Sequence, residues 1–128
     1  MFIKSVQNLI QDALNQIKTI SPSEALELYK NDKCNLIDIR DAVEIQKLGK
    51  VDNSFNISRG LLEFLIHPNS AYVQNNNLDL NKEIVLFCAA GGRSALAAKT
   101  LKEMGFKKVS HIDGGFGAMS IAGFKITK

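Results

Sequence analysis

The stretch EIVLFCAAGGRSALAAKTLKEMG, residues 83–105, decides the fold. It opens with the apolar run Ile84 to Phe87, short enough for one buried strand. Cys88 follows, then Ala89, Ala90, Gly91, Gly92, Arg93 and Ser94. From Arg93 to Met104 the pattern predicts a helix, stopped by Gly105. A buried strand running through a short loop into a helix is the unit of a parallel sheet.

In such a sheet, ligands bind beyond the carboxyl ends of the strands. Cys88 stands at one of these ends. A short loop entering a helix turns backbone N–H groups inward and makes a nest for an anion, reinforced by the helix dipole. Ala89 and Ala90 add little bulk. Gly91 and Gly92 permit backbone angles that other residues avoid. Arg93 brings a planar fork of donors suited to a sulfonate or similar oxyanion. A cysteine in this setting is expected to stand largely as thiolate near neutral pH.

Outward from this unit, helix and strand signals alternate. Ile3, Val6, Ile10, Ala13, Leu14 and Ile17 recur at steps of three and four and predict an amphipathic helix over residues 1–18. Ser21, Pro22 and Glu24 form a capping signature, so a short strand and then a helix from about Pro22 to Asn31 follow. Asn35 to Ile39 reads as a strand. A short helix begins after Asp41, with Glu44 three residues on and Gly49 as the stop. SFNIS reads as a strand, GLLEFLIHP as a helix closed by Pro68, and NSAYVQNNNLDLNK as a polar loop. KKVSHI reads as a strand and GFGAMSIAG as a small closing helix. The expected fold is α/β: one domain over residues 19–128, with a five-stranded, mostly parallel sheet flanked by helices on both faces.

The totals restrict function. The 128 residues suit one core. A net charge of +3, with no Lys/Arg tract, argues against nucleic acid as a partner. No window approaches a membrane span, and the polar N-terminus lacks the apolar core of a secretory signal, so no membrane partner and a cytoplasmic location are expected. The two cysteines, Cys34 and Cys88, fit a reduced compartment better than a disulfide framework. His67 and His111 are isolated, which leaves no zinc spacing. No metal or organic cofactor is indicated.

VLFCAAGGRSALAAKTLKEMGFKKVSHIDGGFGAM resembles the second half of a rhodanese domain, and NLIDIRDAVEIQKLGKVDNSFNIS resembles its first half. The resemblance runs from about Ile20 to Gly123. It rests on three features in order: an L-I-D-x-R strand, C-x-x-G-x-R-S, and a G-G turn. It implies sulfurtransferase chemistry. Cys88 would attack the outer sulfur of thiosulfate or another sulfane donor and carry it as a persulfide. The N–H groups of Ala89 to Ser94 would hold that persulfide, and Arg93 would orient the donor. Small sulfur donors and thiol acceptors, or a protein donor or acceptor, are the implied partners.

Asp38 and Arg40 match the family's D-x-R. Their expected role is structural, with Asp38 capping backbone groups and Arg40 paired with Glu44. Arg59 and Glu63 match a region where some relatives line the pocket. Two departures are visible. GKVDNS (49–54) replaces a G-H-I-P-G-A entry, and no tryptophan follows the G-G turn.

Two other functions compete. A cysteine phosphatase or arsenate reductase is the first; a phosphatase loop needs arginine six residues after cysteine, and here Ser94 holds that place. A sulfur-relay module would load Cys88 from a protein partner instead of thiosulfate. In that case the first helix could serve as a docking or dimer surface, against the simpler expectation that it packs along the sheet. Cys34 precedes its strand, away from Cys88, and is expected to be structural. His67 and His111 are expected in solvated or capping roles.

Overall fold

A computed structural model describes all 128 residues. The central sheet has five parallel strands in the order β1-β6-β5-β2-β4. They are β1 (Lys18–Ile20), β2 (Cys34–Asp38), β4 (Phe55–Asn56), β5 (Glu83–Phe87) and β6 (Val109–Ile112). β5 occupies the middle, as expected of the most apolar run, because only a central strand has both faces and both edges covered.

Alternation along the strands divides the core in two. Ile84, Leu86 and Cys88 join Ile37, Ile39, Ala97, Ala98 and Leu101 on one face. Val85 and Phe87 join Leu36, Ile112, Phe116 and Met119 on the other. The first face is covered by α6 (Gly92–Glu103), with α4 (Leu62–Leu65) and α5 (Ala71–Asn75) beside it. The second is covered by α2 (Pro22–Lys30) and α7 (Gly115–Ala122). α6 presents Ser94, Ala95, Ala97 and Ala98 to the sheet, and these small side chains let its axis lie close. Ser21 caps α2 through a complete capping box with Glu24.

Several expected boundaries move. The first helix, α1, covers only Val6–Leu14, capped by Ser5. Its principal contact is α6, with Ala13 buried, while Phe2 and Ile3 stay exposed. The loop expected over NSAYVQNNNLDLNK contains α5, which Ser70 caps and which buries only Val73. GLLEFLIHP begins as a 3₁₀ turn at Arg59–Leu61. α3 (Ala42–Leu48) ends at Gly49. A small antiparallel pair, β3 (Lys50–Val51) with β7 (Ile126–Thr127), closes the chain end onto the segment after α3. No helix is long and apolar enough to cross a membrane.

The D-x-R pair is buried outright. Asp38 and Arg40 are both 0% exposed. Arg40 Nε donates to Asp38 Oδ1 at 3.0 Å and Nη2 to Oδ2 at 2.8 Å. Nη2 also donates to the Gly49 carbonyl at 2.9 Å. The guanidinium carbon lies 3.9 Å from the ring centroid of Phe116 and 5.9 Å from that of Phe87. This corrects the expected Arg40–Glu44 pair. Arg40 points to the α7 face, where Asp38 shares its side of the sheet, while Glu44 turns toward Arg93. Asp38 does accept the Arg40 backbone N–H, at 3.0 Å.

Removing one member of a buried pair strands the other charge. Asp38→Ala is expected to lose about 3–5 kcal/mol in urea unfolding, the usual cost of an uncompensated buried charge. Asp38→Ala with Arg40→Met should lose less than Asp38→Ala alone.

Candidate active site around Cys88

Cys88 lies just past β5 and is 1% exposed. Its Sγ accepts the Gly91 N–H at 3.1 Å and the Ser94 N–H at 3.3 Å. Ser94 Oγ stands 3.5 Å away. The loop therefore points amides at the sulfur from two positions. Gly92 and Arg93 occupy the first positions of α6, where amides have no intrahelical acceptor. The helix starts one residue before the expected Arg93, because Gly91 at φ +112° forms the cap.

The carbonyls point the other way. Cys88 O accepts Phe116 N–H at 2.8 Å and Ala89 O accepts Gly117 N–H at 3.3 Å. The first turn of α7 thus holds the loop's carbonyls outward, which leaves its amides free to face the sulfur. The approach is close enough to require glycine. A Cβ on Gly115 would lie 2.4 Å from Cys88 O and 2.8 Å from Ala89 C, and the residue has φ +57°.

The Arg93 guanidinium is paired with Glu44. Its Nη1 donates to Glu44 Oε2 at 2.8 Å and its Nη2 to Glu44 Oε1 at 2.7 Å, a two-pronged pair. Glu44 Oε2 also accepts the Asp41 N–H at 2.9 Å, so one carboxylate starts α3 and holds the arginine. The arginine bonds hold the Glu44 carboxyl down, from its ordinary 4.5 to about 2. They push the Arg93 guanidinium up in turn, with a smaller push from Cys88. The pair contributes above the ordinary carboxylate range and is lost only as pH falls toward about 2.

Arg59 and Glu63 pair with one another at 2.7 Å, and Arg59 reaches Thr100 on α6 at 3.3 Å. They brace the 3₁₀ turn against α6 and take no part in the bonds around Cys88. Cys34 starts β2 opposite Glu83, while Cys88 follows the far end of β5. Five residues of strand rise put the two levels about 16 Å apart, beyond disulfide reach. Burial pushes the Cys34 thiol up to about 11. His67 is exposed and accepts the Asn69 N–H at 3.1 Å. A concavity of about 500 Å³ at the other end of the sheet, lined by residues including His67, Ile84, Met104 and Lys108, contains no residue of the Cys88 loop.

His111 overturns its expected solvated or capping role. It is 2% exposed on β6 and faces α6. One ring nitrogen, Nδ1, lies 2.9 Å from Ser94 Oγ. The other, Nε2, lies 2.9 Å from Thr19 Oγ1 on β1, the residue paired with His111 across the parallel ladder. Strand parity could have found it. In a parallel strand covered on both faces, a buried imidazole beside Ile112 is expected to find partners, although the neighbouring Ser110 hydroxyl has none.

The fold and the cysteine loop define a rhodanese-like α/β domain. The rhodanese-like domain family matches residues 21–122, and the chain belongs to it. A protein of unknown function from Rhodopseudomonas palustris, described as a possible tyrosine phosphatase, is 40% identical. It superposes with a TM-score of 0.87 over 99% of this chain and 97% of its own. The polysulfide-sulfur transferase homodimer of Wolinella succinogenes is 34% identical, with a TM-score of 0.75 over 94% of this chain and 85% of that one. The thiosulfate sulfurtransferase GlpE of Ectopseudomonas mendocina is 32% identical over 104 residues, which is 80% of this chain and 84% of the relative. Other curated relatives are much longer. The chain spans 31% of a tRNA uridine(34) hydroxylase from Chlamydia abortus.

Gly115→Ala forces a left-handed backbone on alanine and drives its methyl into the loop. It should cost at least about 2 kcal/mol in urea unfolding. Gly60→Ala, with nothing within 4 Å of the new methyl, should stay within about 0.5 kcal/mol of wild type.

Proposed function

We propose that this protein is a sulfurtransferase that carries sulfane sulfur as a persulfide on Cys88. The observation that carries this reading is the sulfur itself, at a strand end with the Gly91 and Ser94 amides aimed at it. The Cys88 thiolate attacks the outer sulfur of thiosulfate. The donor S–S bond breaks, and sulfite leaves with the bonding pair. The new terminal sulfur is anionic, and the loop amides from Ala89 to Ser94 stabilise it, as backbone donors do at an oxyanion. An acceptor thiolate or cyanide then takes that sulfur and returns Cys88 to thiolate. Two half-reactions on one nucleophile give ping-pong kinetics. The sulfurtransferases among the relatives support this class, with thiosulfate or polysulfide as donor.

The phosphatase description of one relative has less support here. Ser94 stands where a C-x5-R loop would place its arginine, and Arg93 is held aside by Glu44. A relay module fed by a protein persulfide gains nothing from the geometry, since the burial of Cys88 hinders a bulky donor more than a small one.

Intact mass after incubation with thiosulfate tests the reading. The wild type should gain one sulfur atom that cyanide removes, and Cys88→Ala should gain none. Loading from a protein persulfide alone would favour the relay. No loading from any donor, together with hydrolysis of an aryl phosphate, would overturn sulfur transfer. Glu44→Gln should release Arg93's charge and lower the KM for thiosulfate by about threefold, the size of one half-exposed ion pair. In initial-rate assays this gain should fade as salt rises.

A further inference from the structure

We propose that Thr19, His111 and Ser94 form a proton relay that reverses its hydrogen bonds when Cys88 ionises, with His111 as the positioning residue. The relay rests on the sulfur-transfer reading for its use, but its geometry does not depend on the donor.

The four groups form a continuous chain: Cys88 Sγ, Ser94 Oγ at 3.5 Å, His111 Nδ1 at 2.9 Å from that oxygen, and Thr19 Oγ1 at 2.9 Å from Nε2. Cys88, Ser94 and His111 are buried, and Thr19 is exposed at the outer end. The chain therefore leads from solvent to the sulfur by a route separate from the loop mouth. Each middle member both donates and accepts, which a relay needs.

With Cys88 as thiol, the S–H donates to Ser94 Oγ. Ser94 O–H then donates to His111 Nδ1, and Nε2–H donates to Thr19 Oγ1. Ionisation shifts one proton along each link. The sulfur proton passes to Ser94 Oγ, the former Ser94 proton to Nδ1, and the Nε2 proton to Thr19 Oγ1. The former Thr19 proton leaves to water. In the end state Thr19 O–H donates to Nε2, Nδ1–H donates to Ser94 Oγ, and Ser94 O–H donates to the thiolate. The sulfur then holds three donors: this hydroxyl and the Gly91 and Ser94 amides. The imidazole stays neutral throughout and only exchanges tautomers. Burial favours that neutrality by pushing the His111 imidazole below its ordinary value, against a smaller pull from Asp113. The charged groups bearing on the chain are Asp113 at the imidazole and Arg93, tied to Glu44, at the sulfur. The Gly91 carbonyl, 3.2 Å from Ser94 Oγ, already competes for that hydroxyl, and without the Nδ1–H bond that orients Ser94 the competition takes the donor from the thiolate.

The test is the alkylation rate of Cys88 by iodoacetamide across pH, in a Cys34→Ala background. His111→Leu should react roughly tenfold more slowly than the parent near neutral pH, as expected for one lost hydrogen bond to a charged group. The two should converge at alkaline pH. His111→Asn, which keeps a donor toward Ser94, should recover most of the loss. Superimposed profiles for His111→Leu and its parent would overturn the relay. Nitrogen-15 NMR of the His111 ring in the unmutated protein serves if His111→Leu does not fold. The proton should sit on Nε2 while Cys88 is a thiol and on Nδ1 once Cys88 is ionised, and one unchanged tautomer would overturn the relay. Neither readout uses sulfur transfer. A protein that shows the tautomer exchange but loads no sulfur keeps the relay and loses the proposed function.

Discussion

The arrangement depends on two backbones lying flat against each other. Gly115 touches the carbonyl of Cys88 and the peptide of Ala89 at distances no side chain tolerates. That contact lets the first turn of α7 take the loop's carbonyls. Once those are taken, the peptide planes are fixed and the amides of Gly91 and Ser94 face inward. The inward set of the amides is therefore a tertiary feature. The loop sequence supplies its small residues, but a helix more than twenty positions further on sets its orientation.

Two arginine–carboxylate pairs divide the electrostatic work. Asp38 and Arg40 lie on the α7 side, sealed from water, with the guanidinium stacked under Phe116. Phe116 is also the residue whose amide holds Cys88 O. The D-x-R motif thus supports the nest from beneath without touching the sulfur. Glu44 and Arg93 are half-exposed, and their pair costs less to break. One pair holds the scaffold, and the other keeps the Arg93 charge neutralised by Glu44.

Much of the fold is legible in the sequence because its strongest signals are periodic. Ile84 to Phe87 can only be a buried strand, and the capping residues Ser21 and Glu24 mark α2. What escapes lacks period. β3 and β7 are two residues each, too short to alternate. α5 buries a single side chain, so its residues read as loop, with Ser70 the only local sign. In the candidate site, the cysteine loop is legible because glycine and alanine at a strand-to-helix junction have few other uses. The partners of Arg40 and Glu44 are not legible. Residues two apart on β2 share a face, but no local rule says which arginine a carboxylate four residues later will meet. His111 is missed because a lone histidine carries no spacing. Its role comes from neighbours on β1 and α6 that only the sheet brings together.

The separation of the two cysteines has a consequence for oxidative damage. A sulfenic acid formed on Cys88 is usually rescued by a nearby thiol, which traps it as a disulfide before further oxidation. Cys34 begins the neighbouring strand at its opposite end and is largely a neutral thiol, so it cannot supply that rescue. Recovery of Cys88 must then come from a second molecule. The lifetime of the oxidised protein is then set by how often external thiol collides with it.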